Sequence, residues 1–147
     1  MKFKFYLLVL LSLCFPISGA AQTGALQGTW SFLSVTENTE DIALPAPDED
    51  HPFRFVKGTG FTSSVGCNHV SGKYVLGARG KIKFNSIIMT AKACFRDEQK
   101  AEQSLRSVLK KISRYRIKGN VLTLQDDRGK NVITLTKNNK PESRRLK

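Results

Sequence analysis

A chain of 147 residues that is 40% hydrophobic and 24% charged can build one domain around one core, and is too short for several. Its 24 Lys and Arg against 12 Asp and Glu give a net charge of +12. That balance favours anionic partners such as lipid head groups, polyanionic glycans or acidic proteins, although solubility with non-specific attraction is the plainer reading.

The chain opens with Lys2 and Lys4, an unbroken apolar run from Phe5 to Leu13, a break at Pro16, and the small residues Ser18-Gly19-Ala20-Ala21. Residues 1–21 therefore read as a signal peptide cut just before Ala21 or Gln22. The run is too short to span a bilayer as a helix; a retained anchor is the alternative. Cys14 follows Leu13 rather than a small residue and precedes the bulky Phe15, so lipidation is not expected there. Loss of the leader with Lys2 and Lys4 takes the net charge to +10. The destination is the periplasm, the outer envelope or the extracellular space.

Residues 22–137 form the expected domain. Leu26-Gln27-Gly28-Thr29-Trp30 leads into an alternating strand, Ser31 to Thr36. Trp30 suits a core plug better than a ligand platform. Glu37 to Pro52 is a long acidic connector. Glu37, Glu40, Asp41, Asp48, Glu49 and Asp50 make up half of all the acids, and Leu44-Pro45-Ala46-Pro47 resists sheet pairing. Asp48-Glu49-Asp50-His51 is not a metal motif, because adjacent residues cannot all point at one ion and EF-hand spacing is absent.

Phe53 to Lys57, a Gly58-Thr59-Gly60 turn and Phe61 to Val65 make a hairpin. Lys73 to Leu76, a turn at Gly77-Ala78-Arg79-Gly80, and Lys81 to Phe84 make a second. Its alternation sets Ile82 and Phe84 inward and Lys81 and Lys83 outward. Asn85 to Thr90 is extended. A helix follows, capped by Asp97 or a neighbour, with an apolar stripe of Ala101, Leu105, Val108, Leu109 and Ile112 to lay on the sheet. Tyr115 to Lys118 and Val121 to Leu124 flank Gly119-Asn120, and Val132 to Thr136 is the last strand. Residues 138–147 read as a disordered basic tail able to tether the chain to an anionic surface.

These signals describe a mainly β protein. It is an antiparallel meander of seven or eight strands curled into a small barrel, which removes exposed edges, with one helix over an opening or a face. The apolar side chains, taken to be of modest size, leave the interior either filled or able to hold a small ligand. In an oxidising compartment Cys67 and Cys94 are expected to pair across a 28-residue loop. The bridge constrains the unfolded chain by roughly 3–4 kcal/mol. The alternative is a reactive thiol at Cys94, beside Lys92 and Arg96 at a helix start; no Cys-x-x-Cys supports it.

Leu26-Gln27-Gly28-Thr29-Trp30, Gly66-Cys67-Asn68, the segment Met89-Thr90-Ala91-Lys92-Ala93-Cys94 before a helix, and the Tyr115 to Leu124 pattern together resemble META domains, the HslJ-like family. Gly28, Trp30, Gly66, Asn68 and Thr90 fall on its signature, and Cys67 and Cys94 on its cysteines. The resemblance covers roughly Ala25 to Lys137. It implies a small barrel with a helix and an exported protein linked to heat shock, aminocoumarin resistance, motility or virulence, without established enzymatic activity. The acidic connector and the basic tail lie outside the shared pattern. The lipobox of lipid-anchored relatives is missing at Cys14, so their anchoring is not expected here.

Catalytic residues, cofactors and metals are accordingly not expected. His51 and His69 are the only histidines, and Ser63, Ser64 and Ser71 sit in no nucleophile elbow. Nucleic acid is disfavoured by export and by the lack of a motif. The expected protein is a monomer that contacts a protein or an anionic envelope surface. The alternative is a carrier for a lipid or another small apolar ligand.

Overall fold

Period-two alternation carries nine segments of the chain into strands, as a computed structural model of the protein shows for residues 24–44 and 51–138. The order is β1 (Gly28–Glu37), β2 (Glu40–Asp41), β3 (Phe53–Phe55), β4 (Gly60–Ser63), β5 (Val70–Gly77) and β6 (Lys81–Met89), then the helix α1 (Arg96–Lys111), then β7 (Arg114–Lys118), β8 (Val121–Gln125) and β9 (Val132–Lys137). Every strand pairing is antiparallel. From β3 to β9 the strands pair in sequence order, and β9 pairs back onto β1 from Trp30↔Lys137 to Thr36↔Val132. This closes eight strands into a barrel, with β2 outside it on β1. The weakest join is β6–β7, where Lys81↔Arg114 is the one ladder pair and the Ile82 N–H donates to the Ser113 carbonyl at 3.0 Å.

Inward positions fill the barrel. Leu122, Leu124, Ile133 and Leu135 are fully buried, as are Phe53 and Val70. Each such side chain contributes about 1.5–3 kcal/mol by leaving water. On the β3–β6 side the filling is aromatic: Phe53 stacks on Phe61 at 5.5 Å between ring centroids, and Phe84 meets Phe61 edge-on at 5.0 Å. Phe55 meets Tyr74 edge-on at 5.1 Å. The inward side chains are therefore large, not of modest size, and they occupy the space that a ligand inside the barrel would need. Ile82 and Phe84 are buried while Lys81 and Lys83 are exposed, as their alternation requires.

The helix stripe also packs as its spacing dictates, with Ala101, Leu105, Val108, Leu109 and Ile112 all buried. α1 contacts β6 and β1. Those strands lie on opposite sides of an eight-strand ring, so the helix crosses one mouth of the barrel. Two local expectations are corrected. The cap position is Phe95, which makes no side-chain cap, and Asp97 and Glu98 lie inside the first turn. There they still favour the positive helix end. The chain stays extended through Phe95 because Cys94 is bonded to Cys67 and the Lys92 N–H is held by Asn68. The acidic connector is not wholly a loop: Asn38 and Thr39, at φ 50° and 74°, turn β1 straight back into β2, and Ile42 and Leu44 pack against the core. The expected signal peptide at 1–21, the stretch 45–50 and residues 139–147 of the expected tail lie outside the described residues.

Candidate functional site

Three of the five expected signature positions, Gly66, Asn68 and Thr90, converge with Cys67 and Cys94 between the β4–β5 loop, the end of β6 and α1. Asn68, 4% exposed, is the hub. Its backbone N–H donates to Glu102 Oε1 at 2.6 Å and its Nδ2 to Glu102 Oε2 at 2.9 Å. Its Oδ1 accepts from Thr90 Oγ1 at 2.9 Å and from the Lys92 N–H at 2.8 Å. Thr90 Oγ1 in turn accepts from the His69 N–H at 3.0 Å. Cys67 and Cys94 form a disulfide with their Cα atoms 6.0 Å apart, and Asn68 Nδ2 lies 3.0 Å from Cys94 Sγ. Gly66 is buried against α1, where a Cβ would come within 2.7 Å of Glu102 Oε1. Only a residue without a side chain permits that approach. Glu102 is fully buried, and its partners satisfy both carboxylate oxygens.

This constellation holds loops together and leaves no reactive group open. Cys67, Cys94 and Glu98 bring their ligand atoms within 4.8 Å of one another, but sulfurs joined to each other offer no thiolate for a metal. His51 Nδ1 lies 3.3 Å from Ser64 Oγ, a pair that no spacing in the sequence announced. Ser64 is 3% exposed in the loop after β4, so the contact ties that loop to the residues before β3 rather than presenting a nucleophile. Ser63 is buried too, Ser71 is half-buried on β5, and His69 is exposed.

A groove of about 630 Å³ runs between the β1–β2 hairpin and the first half of α1. Ile42, Leu44 and Ala101 line it together with five acids, Glu37, Glu40, Asp41, Asp97 and Glu98, and one base, Lys100. Behind it, burial raises the Glu37 carboxyl, but hydrogen bonds from Ser107, Ser104 and Lys111 outweigh that and hold it below its ordinary value. Lys111 Nζ reaches Glu37 Oε1 at 3.2 Å and Asn131 Oδ1 at 3.4 Å. Asn131, which is buried, donates to Asp126 Oδ2 at 2.6 Å. Slight desolvation of Asp126 is likewise outweighed, by Asn131 and by backbone N–H groups, so it too stays below its ordinary value.

The META domain profile matches residues 24–139. The chain belongs to the META domain family. No curated protein matches it. Among solved structures it is similar to a protein from Burkholderia xenovorans at 22% identity and a TM-score of 0.64, over 81% of this chain and 88% of that one. It is also similar to a DUF4847 family protein from Bacteroides vulgatus at 16% identity and a TM-score of 0.57, over 79% and 96%. At these identities the likeness concerns the fold alone.

In this META domain, Gly66, Cys67, Asn68, Thr90 and Cys94 meet at one place. Gly28 and Trp30 do not join them. Trp30 is a core residue, 1% exposed, whose Nε1 donates to the Leu26 carbonyl at 2.8 Å, with Lys137 Nζ 5.1 Å from its ring centre. Gly28 sits at φ 116° at the start of β1, a conformation that side chains rarely adopt. Sequence reasoning missed Glu102. The signal was present: Glu102 lies three residues before Leu105 and seven before Leu109, an acid on the apolar face of a helix. An acid there needs a buried partner.

Proposed function

We propose that this protein is a non-catalytic, exported META domain that works by contact, presenting a basic face to an anionic partner of the envelope. The observation that carries this reading is how its charge is distributed around the barrel. β5, β6 and β7 bear Lys73, Lys81, Lys83, Arg114, Arg116 and Lys118, all exposed, and contain no acid. β1 lies across the ring from β6, and its β1–β2 hairpin carries Glu37, Glu40 and Asp41 beside Asp97 and Glu98 of α1. Such an asymmetry orients a protein towards an anionic surface on approach. The family's lack of known catalysis supports the non-enzymatic part, and the leader-like residues 1–21 support export. A role in envelope stress or antibiotic tolerance belongs to the same reading. The carrier alternative now favours the groove beside Ile42, Leu44 and Ala101, because aromatic rings fill the barrel.

The test is a native mass spectrum of the protein recovered from the envelope or the culture medium. A chain beginning at Ala21 or Gln22, with the Cys67–Cys94 bridge intact, is expected. A full-length chain retained in the cytoplasm would overturn the export reading, and a co-purifying small apolar molecule would replace contact with carriage.

A further inference from the structure

The outer face of β5–β7 carries more than charge. Lys81 and Arg114 stand directly opposite each other in register, both exposed, a like-charge pairing that disfavours the fold. Asp127 relieves it through Arg114, whose Nε reaches Asp127 Oδ1 at 2.9 Å. Lys73, Lys83, Arg116 and Lys118 form no ion pair among the described residues.

Apolar side chains share this surface. Val75, 52% exposed, sits opposite Lys83, and Ile88, 67% exposed, sits opposite Ser71. Phe95, 84% exposed, is the residue before α1, six residues beyond the end of β6. It belongs to the Ile88 end of the ribbon, because Cys94 is tied to Cys67 and the Thr90 N–H to the His69 carbonyl. The bridge therefore pins this apolar tip. A soluble polyanion would be served by the cations alone. Branched and aromatic side chains standing among them suit an interface with charged head groups outside and acyl chains beneath.

We propose that the outer face of β5–β7 docks on a bilayer containing anionic phospholipid, Lys73, Lys81, Lys83, Arg116 and Lys118 meeting the head groups while Val75, Ile88 and Phe95 enter the acyl boundary. The proposal rests on the exported contact-domain reading, and fails separately from it, because the mature N-terminus is measured without any lipid.

The experiment is co-sedimentation of the mature chain, tail included, with vesicles of phosphatidylcholine alone and of phosphatidylcholine mixed with phosphatidylglycerol. Binding is expected only to the mixed vesicles, weakening as salt rises. The triple variant Lys81→Ala, Lys83→Ala, Arg116→Ala is expected to bind about tenfold or more weakly, at an unchanged melting temperature. The pair Val75→Ser, Ile88→Ser is expected to weaken vesicle binding several-fold while eluting like the parent from an immobilised polyanion. Equal binding to both vesicle types, or a triple variant that binds like the parent, overturns the proposal. A serine pair that still binds vesicles fully overturns the bilayer in favour of a soluble polyanion.

Discussion

Two regions of the barrel treat charge in opposite ways. At the Gly66–Asn68 knot one buried carboxylate, Glu102, is met by two donors from a single asparagine, and a disulfide sits beside them. On β5–β7 six cations face solvent, and the one ion pair found there among the described residues joins Arg114 to Asp127. The knot is arranged for the folded chain itself, since each polar group finds its partner inside. The basic face leaves its charges to something outside. The difference separates residues that set stability from residues that set contact.

The disulfide bridge carries the most stability of any single link in the knot. Cys67→Ser or Cys94→Ser is expected to lower stability by about 2–4 kcal/mol, read as a large fall in melting temperature by calorimetry. Vesicle or polyanion binding by the remaining folded protein should change little, apart from what a loosened Phe95 contributes. Melting temperatures that stay put in both variants would remove the knot from the stability side.

Asn68→Ala comes next. It strips Glu102 of a side-chain donor and leaves Thr90 and the Lys92 N–H without their acceptor. A loss of about 2–3 kcal/mol is expected in urea unfolding, since buried groups left unsatisfied cost more than an average hydrogen bond contributes. Gly66→Ala should cost about 1–3 kcal/mol through its clash with Glu102.

A smaller effect follows from pH. Glu37 and Asp126 are held below their ordinary values of 4.5 and 3.8. Their contribution is therefore complete above those values and is lost as pH falls through the lowered, folded-state ones. Melting temperature should drop as pH falls below the ordinary values of 4.5 and 3.8, and drop less steeply in Glu37→Gln and Asp126→Asn. Equal acid slopes in parent and variants would show that other carboxylates set the acid limit. The smallest expected change in stability is that of removing Lys140 to Lys147, which should leave the melting temperature unaltered and weaken binding to anionic vesicles. Loss of folding would place the tail with the knot instead.

What could be read along the chain was whatever neighbouring residues decide between themselves. Ile82 and Phe84 against Lys81 and Lys83 announce a two-faced strand, and Ala101 to Ile112 announces one helical face, because period and polarity are local quantities. The resemblance singled out Gly66, Asn68 and Thr90 without saying what they do. Tertiary structure decided that. Glu102 meets Asn68 across 34 residues of chain, and an acid on an apolar stripe does not name its partner. The β1–β2 turn at Asn38 and Thr39 rests on two left-handed non-glycine residues, which no turn motif announces. The Phe95 cap depends on a bridge that fixes where the extended chain ends. Local pattern and composition alone called for an antiparallel barrel with a helix and a surplus of cations. Only closure of β9 on β1 set β6 opposite β1 and so parted the basic face from the acidic groove, because strand order around a barrel is settled by pairing between distant residues.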